Sequence, residues 1–404
     1  VIVTLLNWIL GLTAAVLVIP CAVLLTQCLA ALLPPRRRSS PGTDDANVVA
    51  VLIPAHNEQY VIAPTIAAVK RQMHGRDRII VVADNCTDDT ARIACDAGAE
   101  VIVRHDPQLR GKGYALAFGV DYLEPSPPDV VVVLDADTHV HDGSIDALRS
   151  AAIKMQRPIQ AVYLLDPPRE QGMRDPISSL AFTFKNMVRP LGLSRLGLPC
   201  PLMGSGMAMP WRLIEQVDLA TDNIVEDLQL GLDLAIAGYP TAFCADAMVT
   251  GHLPQQPDAA RSQRRRWEHG HLYTMFTQVP RLLAHGLIRR KLSLLTMALD
   301  LAIPPLSFLM LGLIAILGAS GALQLAGGSP WPAGVTLAAM MMMGTAVFAG
   351  WARFARHAVP LSAMLAAPLY ILWKLPIYVG FVVRRETRWV RTERDLQKSG
   401  QHHP

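Results

Sequence analysis

The sequence predicts an α/β domain with a mostly parallel sheet, flanked by transmembrane and interfacial helices. Three observations lead there. Between residues 48 and 250, short apolar β-branched runs alternate with stretches of helical spacing. Residues 1–33 carry no charged side chain, and beyond residue 291 the chain turns apolar again. The composition agrees, since 51% hydrophobic and 17% charged residues over 404 positions is more apolar than a water-soluble enzyme requires.

The first element, residues 1–33, exceeds the roughly 20 apolar residues that a bilayer core needs. It lacks the basic start of a signal peptide, and the PPRRR that follows anchors its far end on the cytoplasmic side. It is read as an uncleaved transmembrane helix, with 34–47 a basic linker. The domain proper is expected over 48–290. Strands are expected at VVAVLI (48–53), RIIVVA (78–83), EVIV (100–103), VVVVL (130–134) and IQAVYLL (159–165), with helices over Tyr60–Arg71, Thr87–Ala97 and Lys112–Leu123. This alternation argues for a parallel sheet covered on both faces, whose ligands bind beyond the carboxyl ends of the strands.

The C-terminal unit, 291–383, holds three apolar segments: Leu292–Leu325 with Asp300 and Pro304-Pro305, Ala333–Ala349, and Leu361–Val383 with Pro368, Lys374 and Pro376. Three crossings would leave the basic tail 384–404 on the far side of the membrane, where basic segments are disfavoured. Either Leu292–Ile303 or the last segment is therefore expected to be interfacial or re-entrant.

Several function classes drop out. The formal charge of +4 is mild, and without an extended basic stripe or an RNA-binding aromatic motif, nucleic acid is not an expected partner. Six scattered cysteines without a CxxC pair read as reduced thiols. The first strand runs into PAHNEQY, which has no glycine, so the dinucleotide fingerprint is missing; RGKGYA has neither the spacing nor the hydroxyl of a phosphate-binding P-loop. Carboxylates stand at the strand ends instead. Asp135 and Asp137, two positions apart, both reach one divalent cation if the turn bends suitably, leaving positions open for phosphate oxygens. The pair His139 and His141 lacks a third ligand. Arg264–Arg266 beside Trp267 suit an anion, whether phosphate or lipid headgroup.

IPAHNE, ADNCTDDT, RGKGYAL, DAD, VED and QRRRW, in this order, resemble the membrane-bound family-two glycosyltransferases. That group includes cellulose synthase, hyaluronan synthase and ceramide glucosyltransferase, with a D, D, D, QxxRW signature and a GT-A fold. The resemblance covers roughly residues 48–275. It departs at Ala83-Asp84, where a common form of the motif has two aspartates. The resemblance implies that Pro54, Ala55, Glu58 and Asp84 surround the nucleoside of a nucleotide-diphospho-sugar, a UDP-sugar being the first expectation. Asp135 and Asp137 would hold Mg or Mn, with Asp135 also touching the donor, and Lys112 and Arg266 would neutralise the diphosphate. Asp227 would be the catalytic base of an inverting transfer that forms a β-linkage. Glu226, Gln263 and Trp267 would lie on the acceptor side, GSGMAM (204–209) would form a bend near the acceptor or, without the resemblance, a small-residue strand, and Arg264 and Arg265 would face anionic headgroups. His252 is a weaker candidate ligand for the metal or diphosphate. The expected acceptor is a lipid, a lipid-linked group or a glycan, handled at the cytoplasmic face of the inner membrane. A processive polysaccharide synthase is the alternative enzyme, and with so few spans it would call for a homo-oligomer or a membrane partner subunit. A non-catalytic sugar-nucleotide-binding scaffold is the alternative of another class.

Overall fold

The computed structural model describes residues 1–34, 47–166, 175–221, 225–252 and 257–383. Most of the basic linker, the whole basic tail and the side chain of His252 lie outside the described residues. Eight strands form one sheet: β1 (Val49–Ala55), β2 (Arg78–Asp84), β3 (Glu100–Arg104), β4 (Val130–Val133), β5 (His139–Val140), β6 (Ile159–Asp166), β7 (Met207–Pro210) and β8 (Ala242–His252). Their order is β3-β2-β1-β4-β7-β6-β8-β5.

The half made of β3, β2, β1 and β4 is parallel, as the alternation of strand and helix predicts. The other half is mixed: β7 runs antiparallel to β4 and β6, and β5 antiparallel to β8. The sequence reading missed β5 and β8 and offered β7 only as the alternative to a bend in GSGMAM, because MAMP and AFCADAMVTGH are poor in β-branched residues and are held as strands by their neighbours.

Strand β1 shows why the parallel half reads as unbroken apolar runs. Val49, Val51 and Ile53 face one layer, formed by α2 (Ile62–Lys70) with α3 (Thr90–Asp96) and α5 (Ser144–Met155). Ala50 and Leu52 face the other layer, formed by α4 (Lys112–Leu123), α8 (Trp211–Ile214) and α9 (Glu226–Ala237). With both faces covered, every β1 position must be apolar or nearly so.

Among the described residues, three helices are long and apolar enough to cross a membrane: α1 (Ile2–Ala31), α12 (Leu306–Leu325), and α13 (Trp331–Gly350) with the π-helical turn Trp351–Ala355 that extends it. The expected segment Leu292–Leu325 is two elements, since Pro304 and Pro305 end α11 (Leu292–Leu301) and begin α12. Ten residues of α11 rise about 15 Å, half a bilayer core. The last segment breaks into α14 (Leu361–Leu365), α15 (Ala367–Trp373) and α16 (Leu375–Val383). Both segments suspected of lying in the interface are therefore too short to cross as single helices.

The apolar helices pack directly on the sheet domain. Cys21, Leu24 and Cys28 of α1 share a core with Leu180 of α6 (Asp175–Thr183), with Phe184 and Val188 of a second π-helical turn, and with α12 and α13. Small residues permit the approach: a Cβ on Gly192 of α7 (Arg189–Leu196) would lie 2.0 Å from the Gln27 carbonyl of α1. At that contact Arg189 pairs with Asp300 at 2.8 Å, and Gln27 joins both, donating to Asp300 Oδ1 at 2.8 Å and accepting from Arg189 Nε at 3.2 Å. All three side chains are buried. Asp300→Ala leaves the guanidinium unpaired in this low-dielectric joint, and a loss of about 3–5 kcal/mol is expected, read as a lower unfolding midpoint in detergent micelles.

Candidate active site

Two strand-end loops brace each other at the edge of β1 and β2. Asn57, in the left-handed region at φ 55°, accepts the Thr87 amide at 2.7 Å, and the Glu58 amide donates to Thr90 Oγ1 at 2.7 Å. The parallel register sets Asp84 opposite Arg104. Arg104 donates to Asp84 Oδ1 at 2.7 Å and to the Leu109 carbonyl at 2.8 Å, and its guanidinium lies over the Tyr114 ring. Both partners are buried, so the orientation of Asp84 is fixed from behind.

The next strand end is organised by Lys112, the first residue of α4. Its ammonium donates to Asp135 Oδ1 at 2.5 Å and to the Gly204 carbonyl at 2.7 Å, and stands 4.0 Å from Glu226. Burial opposes the charge on Lys112, but the carboxylates of Asp135, Glu226 and Asp227 outweigh it and lift the pKa above the ordinary lysine value. The Asp135 amide donates to Ser205 Oγ, and the fully buried Gln160 clamps the same bend by donating to the Ser205 carbonyl and accepting from the Met203 amide.

Gly204 adopts φ 90°, and an added Cβ there would meet Asp227 Oδ2 at 3.2 Å. GSGMAM is thus two things: a bend against Asp227 over 204–206, then strand β7. Glu226 and Asp227 occupy the first turn of α9, where carboxylates suit the helix dipole. Here burial dominates and raises the pKa of both, with Asp227 pushing Glu226 up further while Lys112 pulls both down.

The twelve residues expected to form the donor, metal, base and acceptor-side positions line one cavity of about 910 Å³. Pro54, Ala55, Glu58 and Asp84 lie along its β1–β2 side, with Lys112, Asp135 and Asp137 at the β4 end. Glu226 and Asp227 lie beyond them, and Gln263, Arg266 and Trp267 enter from α10 (Pro257–Ile288). The cavity does not end there. It continues between apolar side chains that include Met310, Met343, Val347 and Phe348 of the membrane-length helices and Leu361 and Met364 of α14. Trp267 packs against Phe182, which packs against Tyr163, with centroids 5.6 and 5.5 Å apart.

Arg264 departs from expectation. It is buried at 8% exposure and lines the cavity with Arg266, whereas Arg265 reaches toward Gly380 of α16. Successive residues on a helix point about 100° apart, and α10 is packed on more than one side, so the three arginines cannot share one outward face. The sequence reading also missed Arg104, whose signal was its strand-end position one strand from Asp84, and Lys185, a lone basic residue in FTFKNMV. His271, one turn beyond Trp267, is half-buried and bonded to the Ile303 carbonyl at 2.9 Å. Burial, with the charge of Lys185, pulls its pKa to about 4, so it is neutral.

Among the described residues no group of three or more His, Cys, Asp or Glu side chains stands together as a metal cage. Two carboxylates on the open cavity wall fit a different need, a hard cation whose remaining positions are filled by ligand oxygens.

A family model described as glycosyltransferase-like family 2 matches residues 46–270. The chain belongs to glycosyltransferase family 2. Among relatives of this family 2 chain, the Bacillus subtilis protein named "Probable glycosyltransferase YdaM" is 28% identical over 243 residues, which is 56% of this chain and 56% of that protein. The match thus spans little more than half of that relative's length. The uncharacterized glycosyltransferase Rv0539 of Mycobacterium tuberculosis is 27% identical over 228 residues, 54% of this chain and 87% of that one. Among solved structures, the mannosyltransferase PcManGT from Pyrobaculum calidifontis, in complex with GDP-Man and Mn2+, covers 93% of this chain and 100% of its own, at 17% identity and a TM-score of 0.55. The sheet domain has the GT-A fold.

Gly113 tests how tightly the site is built. A Cβ there would stand 2.5 Å from the Leu219 carbonyl and 2.7 Å from that of Thr221, both backbone atoms. Gly113→Ala is expected to push the start of α4, and Lys112 with it, off Asp135. It should cost about 1–3 kcal/mol of stability, measurable by thermal unfolding.

Proposed function

We propose that the chain is an inverting, metal-dependent glycosyltransferase that moves a sugar from a nucleotide-diphospho-sugar to a hydroxyl on a lipid or lipid-linked acceptor. The observation that carries this reading is the single cavity, polar and acidic at the strand ends and apolar between the membrane-length helices. A donor diphosphate with its cation suits the first half, and an acyl or prenyl chain suits the second. A water-soluble acceptor has no use for the apolar half.

In this reading Pro54, Ala55, Glu58 and Asp84 receive the nucleoside, with Arg104 holding Asp84 in place. Lys112 and Arg266 face the diphosphate, Arg266 through a planar fork that suits phosphate oxygens. Asp135 and Asp137 would hold Mg or Mn, which supplies positive charge to the phosphate oxygens when bound; the Mn2+ and GDP-Man in the PcManGT complex support this assignment. Asp227 takes the proton of the acceptor hydroxyl as its oxygen forms a bond to the anomeric carbon. The bond from that carbon to the diphosphate breaks, its electron pair leaving with the nucleotide. Displacement from the opposite face inverts the carbon, so an α-linked donor yields a β-linkage. Gln263 and Trp267 form the acceptor-side wall, and Trp267 with Phe182 offers flat apolar faces to a sugar ring or lipid.

In this reading the domain lies at the cytoplasmic face of the inner membrane. Two helices of crossing length follow it, so the chain returns to the domain's own side, which suits the basic sequence of the tail.

The deciding experiment incubates membranes containing the chain with labelled UDP- and GDP-sugars and magnesium or manganese. Label extracting into organic solvent is expected, and label held on a size filter would favour polymer synthesis instead. Excess chelator should abolish transfer, and Asp137→Ala should do so without lowering the unfolding midpoint; full activity in chelator would exclude the metal role. Asp227→Asn should reduce kcat about 10²–10⁴-fold with donor affinity little changed. The base must be ionised to act, and burial raises its pKa. The acid limb of kcat is therefore expected above the ordinary aspartate range, with activity falling as pH drops through it. A limb near pH 4 would exclude this buried pair as the base.

A further inference from the structure

Lys185 is a charged group of the cavity with no part in holding the donor, the metal or the base. It projects from the π-helical turn Phe184–Val188, a geometry that is rare and recurs at functional sites. The turn is fixed by its neighbours: Phe184 is buried against Gly350, where an added Cβ would meet its ring at 2.4 Å, and Asn186 is buried on the other side. Lys185 between them opens into the cavity.

The nearby cations are paired. Lys112 binds Asp135, Arg189 binds Asp300, and Lys374 binds Glu268. Lys185 forms no hydrogen bond or ion pair among the described residues. Its side chain is exposed and lines the cavity. A lipid that fills the cavity would strip water from this ammonium, a cost met only if the ligand brings a counter-charge.

The electrostatic neighbours say which ligand. Lys112 feels Asp135, Glu226 and Asp227, whereas Lys185 feels Asp227, Arg189, Asp300 and Glu268. Asp227 acts on both; Lys112 is bonded to Asp135, whereas Lys185 follows Phe184, which packs against Gly350 at the end of α13. Glu268 and Asp300 are already neutralised by their own partners. The open cation therefore faces the acceptor and not the donor diphosphate.

We propose that Lys185 binds a negatively charged phosphate carried by the lipid acceptor, beside the hydroxyl that Asp227 deprotonates. This rests on the lipid-acceptor reading and narrows it from lipids in general to anionic ones. The phosphate would supply the missing counter-charge, and the acyl chain would occupy the apolar half of the cavity.

The test measures lipid affinity without any sugar donor, on the full chain in neutral detergent micelles, by titration calorimetry. The probes are lysophosphatidic acid, monoacylglycerol with the same acyl chain, and inorganic phosphate. Lysophosphatidic acid should bind at least about tenfold more tightly than monoacylglycerol, as expected for a charge-assisted contact in a partly dry site. Lys185→Gln should bring the two affinities together, and Lys185→Arg should keep them apart, which also shows that the position tolerates substitution. Equal affinities in the unaltered protein would overturn the proposal, as would a preference that survives Lys185→Gln. Inorganic phosphate competing as strongly as the lipid would mean a free-anion site and would overturn it too. If Lys185 served only to keep Asp227 ionised, Lys185→Gln would move the acid limb of kcat and leave the lipid preference intact, a further negative result. A chain that transfers no sugar would overturn the functional reading in the transfer assay and leave this affinity measurement standing.

Discussion

The ammonium of Lys112 is the charge on which the polar half of the cavity depends. Asp135, Asp137, Glu226 and Asp227 line one cavity wall, and carboxylates gathered in a partly dry space repel one another and resist ionisation. Lys112 bonds Asp135 and the Gly204 carbonyl, and its field reaches Glu226 and Asp227. One side chain thereby joins the start of α4, the end of β4, the bend before β7 and the first turn of α9. The glycines beside it serve the same joint: Gly113 lets α4 press on the Leu219–Thr221 backbone, and Gly204 lets the bend pass close to Asp227.

A second joint holds the apolar helices to the sheet domain. Arg189, Asp300 and Gln27 come from α7, α11 and α1, three elements far apart in sequence, and their polar groups satisfy one another inside an otherwise apolar contact. The geometry of that contact decides where Phe184, and so Lys185, can stand. The two halves of the cavity are thus set by two separate polar anchors, one at the strand ends and one beneath the membrane-length helices.

Trp267 lies where the halves meet. On α10 it follows Arg266 by one residue and packs on Phe182, so the same helix offers a guanidinium to the acidic half and an indole to the apolar half. Arg264 is drawn into the cavity by the same helix geometry, and Glu268 is held by Lys374 of the C-terminal segment. Helix α10 thereby links the GT-A sheet to the short C-terminal helices.

The parallel half of the sheet was legible because strands buried on both faces must be apolar at nearly every position, a pattern that survives without knowledge of neighbours. The strand-end carboxylates were legible for a related reason: a charged residue directly after such a run stands at the ligand edge of the sheet. The apolar ends announced themselves by length alone. What only the tertiary structure decided were features made by partners distant in the chain. Strands β7 and β8 form because β4 and β6 offer them edges, not because their residues favour extension. Arg104 behind Asp84, the burial of Arg264, the splitting of the apolar segments into crossing and short helices, and the opening of Lys185 into the cavity all depend on which elements pack together. Residue spacing records the periodicity of a single element, whereas pairing and burial belong to contacts between elements.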